Sequence, residues 1–166
     1  SNYAGQPIDP SVAYNGKSET GPASDPGLAP AHNTGEAIWD VQLSFNLETA
    51  SGALGNAGAE VDGTYFYSTR WASNLLQQYD AAGNLIQEFS IAGVTGLRDL
   101  AYDGTYFYGG AAANTIYIMD FVSQTLVGTI TSPEGVRHIA YDAGMDAFWV
   151  GNWTTDIFLV DRNGTT

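Results

Sequence analysis

The sequence predicts an all-β fold made of β-propeller-type repeats, and two observations lead to this prediction. Residues 61–67 and 102–108 share the run Asp-Gly-Thr-Tyr-Phe-Tyr, and residues 141–150 repeat it more loosely. The copies recur about every 40 residues, a period that is typical of a propeller blade when short strands and Asp-Gly turns make up the repeat. Short runs rich in β-branched and aromatic residues predict the strands, whereas no stretch shows a convincing helical period.

Each repeat is predicted to contain four short strands. The predicted third strand of each repeat ends in an Asp. We interpret this Asp as the start of a turn, because Asp side chains bond to nearby backbone N–H groups and tolerate turn geometry. We favour this capping role over calcium ligation for the recurring Asp residues, since calcium needs six to eight converging oxygens. The predicted strands are 96–102 and 135–141 (innermost), around 106–108 (second), 75–80, 115–120 and 156–161 (third), and 85–89 and 125–130 (outer).

A further strand is predicted at 38–47, ahead of the repeats. Trp39, Val41, Phe45 and their alternate neighbours share one face, which indicates a half-buried strand, and a Gly/Ala-rich connection follows it. The last repeat stops where its outer strand should begin, so the strand at 38–47 could fill that place. The count is then about three blades, incomplete as a closed ring of four to eight. Either several chains assemble, or the chain is part of a longer protein.

Residues 1–36 differ from the rest and are predicted to form an extended or mobile arm. Five of the six prolines lie there, and no strand or helix period is visible. The arm is either a disordered leader or a segment that lies on a neighbouring subunit. The chain is thus divided into an arm at 1–36 and a propeller-like repeat domain at 37–166.

Composition excludes several classes of partner. The formal net charge is −13, with 5 Lys and Arg against 18 Asp and Glu, so the chain should repel nucleic acids and anionic membranes. The absence of cysteine removes disulfides, thiolate metal sites and cysteine nucleophiles. No apolar run approaches the roughly 20 residues that a membrane span needs. We therefore predict no nucleic-acid partner and no membrane insertion.

Arg98 and Arg137 hold the same repeat position and are the most suggestive polar residues. Together they could bind a carboxylate or a sugar acid, but we favour an ion pair from each Arg to an Asp of the next blade. His138 follows Arg137, yet one histidine makes no metal centre. As a general base it would need an orienting partner, and Asp142 is near only in sequence.

Trp71 and Trp153, with Asn152, are candidates for an exposed rim that stacks on sugar rings or binds a peptide. Trp149 is expected in the core, because alternating aromatic residues in a strand more often pack inside. We predict no catalytic residue, no metal ligand and no cofactor.

Segments 58–71, 96–110 and 147–153 resemble secreted propeller-like repeat proteins of Bacteroidota and related environmental bacteria. The resemblance covers roughly residues 37–166. Members of that group often carry a C-terminal sorting domain for secretion, which is not seen here. The resemblance implies an extracellular or cell-surface location and supplies no catalytic residues.

The leading hypothesis is a non-enzymatic extracellular structural or adhesion module that self-associates through the arm or a donated strand, into a filament or a surface assembly. The alternative is a propeller that binds a polysaccharide or a surface protein. A propeller-type lyase or lactonase ranks last, because no acid/base pair or metal cluster is evident.

Overall fold

The structure is a computed structural model that describes residues 43–153 and 156–166. These residues contain eleven strands and one short helix. Residues Ser44–Thr166 belong to one compact unit. The elements are α1 (Leu47–Ser51), β1 (Asn56–Val61), β2 (Phe66–Arg70), β3 (Leu76–Tyr79), β4 (Leu85–Phe89), β5 (Asp99–Tyr102), β6 (Phe107–Gly110), β7 (Thr115–Asp120), β8 (Thr125–Thr131), β9 (His138–Asp142), β10 (Ala147–Gly151) and β11 (Ile157–Asp161).

The strands form three antiparallel sheets in chain order, which confirms the all-β prediction. Sheet 1 is β1-β2-β3-β4, sheet 2 is β5-β6-β7-β8, and sheet 3 is β9-β10-β11. The first strand of each sheet lies beside the first strand of the next, so β1 contacts β5 and β5 contacts β9. Each sheet is therefore a blade, and the described residues form three blades without a closed ring.

The Asp-Gly-Thr-Tyr-Phe-Tyr run forms the first turn of sheets 1 and 2. Asp62 Oδ1 accepts hydrogen bonds from the backbone N–H groups of Thr64 and Tyr65, both at 2.8 Å, and Asp62 Oδ2 accepts from the Tyr67 hydroxyl at 2.9 Å. Asp103 makes the same three bonds in sheet 2. Gly63 has a φ of 93°, a conformation that a residue with a side chain rarely adopts.

The turn after each third strand is held in the same way. Asp80, Asp120 and Asp161 each accept backbone N–H bonds from the residues that follow them. The capping interpretation is confirmed, and within the described residues no group of three or more Asp, Glu or His side chains could hold a metal ion.

Two apolar clusters join the sheets. One lies between sheets 1 and 2, where Tyr67 of sheet 1 packs on Phe107 of sheet 2 with ring centroids 4.7 Å apart. The other lies between sheets 2 and 3, where Tyr108 packs on Phe148 at 4.3 Å. Val136 of this second cluster packs directly against Gly110, because a Cβ at residue 110 would collide with Val136.

The predicted strand at 38–47 is wrong where the structure describes it. Residues 43–46 have no regular structure, and α1 then begins at Leu47, contrary to the expectation of no helix. Asn46 caps this helix by accepting from the Thr49 N–H at 2.8 Å, a local bond that competes with strand formation. Phe45 packs on Phe66 in sheet 1 rather than beside β11. Residues 38–42 and the arm at 1–36 lie outside the described residues.

The Gly/Ala-rich connection that was predicted after residue 47 contains β1. Gly58 lies in this strand, close to the inner strand of sheet 2. Glycine is required there because a Cβ would collide with the backbone of Asp99. In the described part of the chain no helix is long and apolar enough to cross a membrane.

Candidate ligand-binding face

The strand registers divide each blade into two ends. Asn56 pairs with Arg70, Asp99 with Gly110, and His138 with Gly151, so the start of each inner strand lies beside the end of the second strand. The connections at this end are the loops before inner strands and the loops between second and third strands; we call it the loop end. The Asp-capped turns lie at the opposite end, which we call the Asp-turn end.

All six predicted site residues lie at the loop end. They are Trp71, Arg98, Arg137, His138, Asn152 and Trp153. Most carboxylates that cap turns lie at the other end, so charge is separated along the strands of an acidic chain. Acidic residues at the loop end include Glu88, Glu134, Asp156 and Asp99.

The Trp71–Arg98 pair bridges two blades. Arg98 Cζ lies 4.8 Å from the centroid of the Trp71 ring, with Trp71 in the loop after β2 and Arg98 just before β5. The backbone N–H of Arg98 donates to Gly110 O at 2.8 Å and fixes the start of its side chain. A guanidinium over an indole face is attracted by the ring electrons.

The Arg137–Trp153 pair lies within sheet 3. Arg137 Cζ is 3.9 Å from the Trp153 ring centroid, and the Arg137 N–H donates to Gly151 O at 2.9 Å. Arg98 lies on an indole of the preceding sheet, but Arg137 does not. By strand register, the position that Trp71 holds in sheet 1 is occupied in sheet 2 by Ala112. Asn152 Oδ1 accepts from the Trp153 N–H at 2.8 Å and orients the backbone there.

The Arg137 guanidinium carries unsatisfied donors. Its Nε and Nη1 atoms are buried, and no described residue accepts a hydrogen bond from them. Buried donors without an acceptor are unfavourable, and more so when charged. Arg70 also has buried unpaired nitrogens, but its Nη1 atom forms a salt bridge with Glu88 at 3.1 Å.

The favoured ion pair from Arg98 and Arg137 to an Asp of the next blade is wrong for the described residues. Both guanidinium groups lie on indole rings instead. Asp99 Oδ2 accepts from the Ile139 N–H of the next inner strand at 3.0 Å, so a backbone bond joins these blades. Burial raises the pKa of Asp99, and the nearby His138 acts to lower it.

The ion pair between blades is formed by Arg162, which the sequence did not single out. Its guanidinium lies 3.0 Å from Asp103 of sheet 2 and 2.7 Å from Asp146 of sheet 3, at the Asp-turn end. The hydrogen bond from Arg162 lowers the pKa of Asp146. Partial burial acts to raise the pKa of Asp103, but bonds from Tyr106, Tyr108 and others outweigh it and lower that pKa.

His138 and Asp142 do not form a catalytic pair. They lie at the two ends of β9, and Asp142 Oδ2 accepts from Trp149 Nε1 at 3.1 Å. The expectation that Trp149 is in the core is wrong, because its side chain is 40% exposed.

Trp149 is exposed because of its position in the repeat. In sheets 1 and 2, one face is turned toward the next sheet along the chain. We call this face, and the face of sheet 3 that carries the equivalent residues, the trailing face. Tyr67 in sheet 1 and Tyr108 in sheet 2 hold the same register as Trp149 and are only 6% and 1% exposed. Ile157 is 63% exposed, whereas its equivalents Leu76 and Ile116 are 1% and 0% exposed.

Comparison with known proteins shows the fold alone. No protein-family model matches the chain, and no curated protein matches it in sequence. Hydrazine synthase of Kuenenia stuttgartiensis superposes with a TM-score of 0.54 at 15% identity, over 76% of this chain and 36% of that one. The WD40 repeats of RRP9 give 0.53 at 16% identity, over 66% of this chain and 36% of that one.

Glutaminyl cyclase of Myxococcus xanthus gives a TM-score of 0.51 at 17% identity, over 64% of this chain and 56% of that one. The chain thus spans between 36% and 56% of the length of these three structures. The class defined by fold and comparison is a β-propeller-type module, as the repeats predict.

Proposed function

We propose that this chain is a non-enzymatic propeller module that self-associates through the trailing face of sheet 3. The observation that carries the proposal is the exposure of Trp149 and Ile157, whose equivalents in the other sheets are covered by a neighbouring blade. Burying one such side chain contributes about 1.5–3 kcal/mol, so a second blade on this face would be stabilised in the same way as sheets 2 and 3 are.

The edge of sheet 3 adds to this surface. β11 pairs only with β10 among the described strands, whereas the third strands of sheets 1 and 2 have a neighbour on each side. An unpaired edge offers backbone donors and acceptors to another chain. Apolar residues dominate β11, and its Asp161 side chain is already bonded to its own turn.

An extracellular or cell-surface setting, with a role in structure or adhesion, is part of the proposal. It is supported by the resemblance to secreted repeat proteins and by the acidic composition, which suits solubility. The arm at 1–36 is a second proposed contributor to assembly, and comparing the full chain with a 37–166 chain tests it.

Light scattering after gel filtration tests self-association directly. We expect the wild-type 17.6 kDa chain to form dimers or larger species, and Trp149→Glu with Ile157→Asp to shift it to monomer. Val122→Asp is the matched control, since Val122 is 97% exposed but lies in a turn away from that face. A wild-type chain that stays monomeric at high concentration would contradict the proposal.

A second candidate function is binding of a glycan or a protein at the loop end. Two pairs, each an exposed indole on a half-buried guanidinium, lie at one end of the blades and favour it, because aromatic rings and arginine dominate binding surfaces. Retention on immobilised polysaccharide, lost in Trp71→Ala or Trp153→Ala, is the test. A lyase or lactonase is the least favoured function, and activity abolished by His138→Ala would be needed to support it.

A further inference from the structure

We propose that Arg137 and Trp153 bind a sugar that carries a carboxylate, and that Trp71 and Arg98, a pair of the same residue types that bridges sheets 1 and 2, form a second, weaker site. The inference rests on the second candidate function and names its ligand class. It does not depend on self-association, which concerns the trailing face of sheet 3.

The charge and geometry of Arg137 select the acidic group. Its buried Nε and Nη1 atoms have no acceptor among the described residues, so the guanidinium can still form hydrogen bonds. A guanidinium presents its donors in a planar fork that matches the two oxygens of a carboxylate. Its backbone N–H donates to Gly151 O, which fixes the backbone position from which the side chain extends.

Trp153 supplies the platform for the sugar ring. Its side chain is 76% exposed, and its ring lies on the Arg137 guanidinium. The Nε and Nη1 donors of Arg137 are buried, so a carboxylate reaches them after the surrounding side chains, of which Trp153 is the most exposed, move aside. The indole then offers its face to the apolar side of the sugar.

The repeat favours a polymeric ligand. By strand register Trp71 is equivalent to Trp153, and Arg98 to Arg137, so the same pair of residue types occurs twice at the loop end. Two linked sites raise avidity for a ligand that repeats the same group. An acidic polysaccharide, with a carboxylate on each sugar unit, has that property.

Nearby carboxylates set a limit on the site. Glu134 precedes Arg137 by three residues, and its Oε2 atom accepts from the Gly135 N–H at 3.3 Å. Asp156 is exposed in the same loop as Trp153. Their charge should weaken binding of a polyanion at low salt, so the contact depends on the guanidinium fork rather than on long-range attraction.

Calorimetric titration with a hexamer of galacturonic acid, and with a neutral galactose hexamer, tests the inference. We expect the wild-type chain to bind the acidic hexamer and to bind the neutral one at least tenfold more weakly. Arg137→Gln should weaken binding of the acidic hexamer more than tenfold, and Arg137→Lys should also weaken it because the fork is lost. Arg98→Gln should have a smaller effect of the same sign.

Val122→Ala is the control, since Val122 is 97% exposed and lies in the turn after β7, away from the loop end and from the trailing face of sheet 3. It should bind the acidic hexamer as the wild type does, and thermal unfolding of each variant checks that it is folded. Equal binding of both hexamers with dependence on Trp153 would overturn the carboxylate inference but keep the glycan function. No binding of either hexamer would overturn both.

Discussion

The trailing faces of sheets 2 and 3 have matching residues at matching positions, but only the first is covered. Ile116 is buried between sheets, and Ile157 at the same register is largely in solvent. Tyr108 and Trp149 differ in the same way. One repeat therefore produces a core position or a surface position depending only on whether another blade lies beside it.

The largest expected effect compares Ile116→Ala with Ile157→Ala. Removing the buried side chain leaves a cavity and should lower the free energy of unfolding by about 2–5 kcal/mol. The same change at the exposed position should stay within about 0.5 kcal/mol in dilute solution. Urea unfolding of both variants measures the difference, and equal losses would mean that sheet 3 is covered even in the dilute chain.

The next effect compares Asp103→Ala with Asp62→Ala. Each carboxylate caps the first turn of its own sheet, but only Asp103 also pairs with Arg162 of sheet 3. We expect Asp103→Ala to lower the free energy of unfolding by roughly 1 kcal/mol more, a modest figure because Arg162 is partly exposed. Similar losses in urea unfolding would show that the ion pair between sheets 2 and 3 contributes nothing.

The smallest effects concern pH, and they have opposite signs at the two ends. Folding lowers the pKa of Asp103, so its stabilisation is present above the unfolded pKa of about 3.9 and is lost as the pH falls through the folded value. Asp103→Asn should therefore show a shallower loss of stability in acid than the wild type. Urea midpoints measured below about pH 4 check this.

Asp99 behaves the other way because burial raises its pKa. Its contribution is present below the unfolded pKa of about 3.9 and is lost as the pH rises through the folded value. Asp99→Asn keeps an oxygen for the Ile139 N–H but cannot ionise, so its stability relative to wild type should increase just above pH 4. An unchanged difference between the two proteins across that range would contradict the assigned burial.

The repeat was readable in sequence because its turns use a local code. Asp62 and Asp103 bond to residues only a few positions away, so period, turn and strand order follow from the run itself. β1 was hidden because Gly58 is set by contact with Asp99, a distant residue. The helix at Leu47 was hidden because strand-like alternation continued through Asn46, whose capping bond decides the local structure.

The candidate site was only partly predictable. Arg98 and Arg137 were singled out by repetition, but their stacking on Trp71 and Trp153 depends on loops that no periodicity describes. Trp149 was placed in the core because alternation in sequence does not show which face of a sheet another blade covers, and none of the described residues cover this face of sheet 3. Arg162 was missed because it lies after the last third strand and has no equivalent in the other repeats.

Hydrogen–deuterium exchange of the segment 156–161, measured in dilute and in concentrated solution, tests the central claim most directly. The trailing face and edge of sheet 3 are proposed to be covered on self-association, so backbone amides of β11 should exchange more slowly as concentration rises. Amides of β6, already inside a sheet, should exchange at the same rate in both solutions. Unchanged exchange in β11 at a concentration where light scattering shows assembly would place the contact elsewhere and contradict the account.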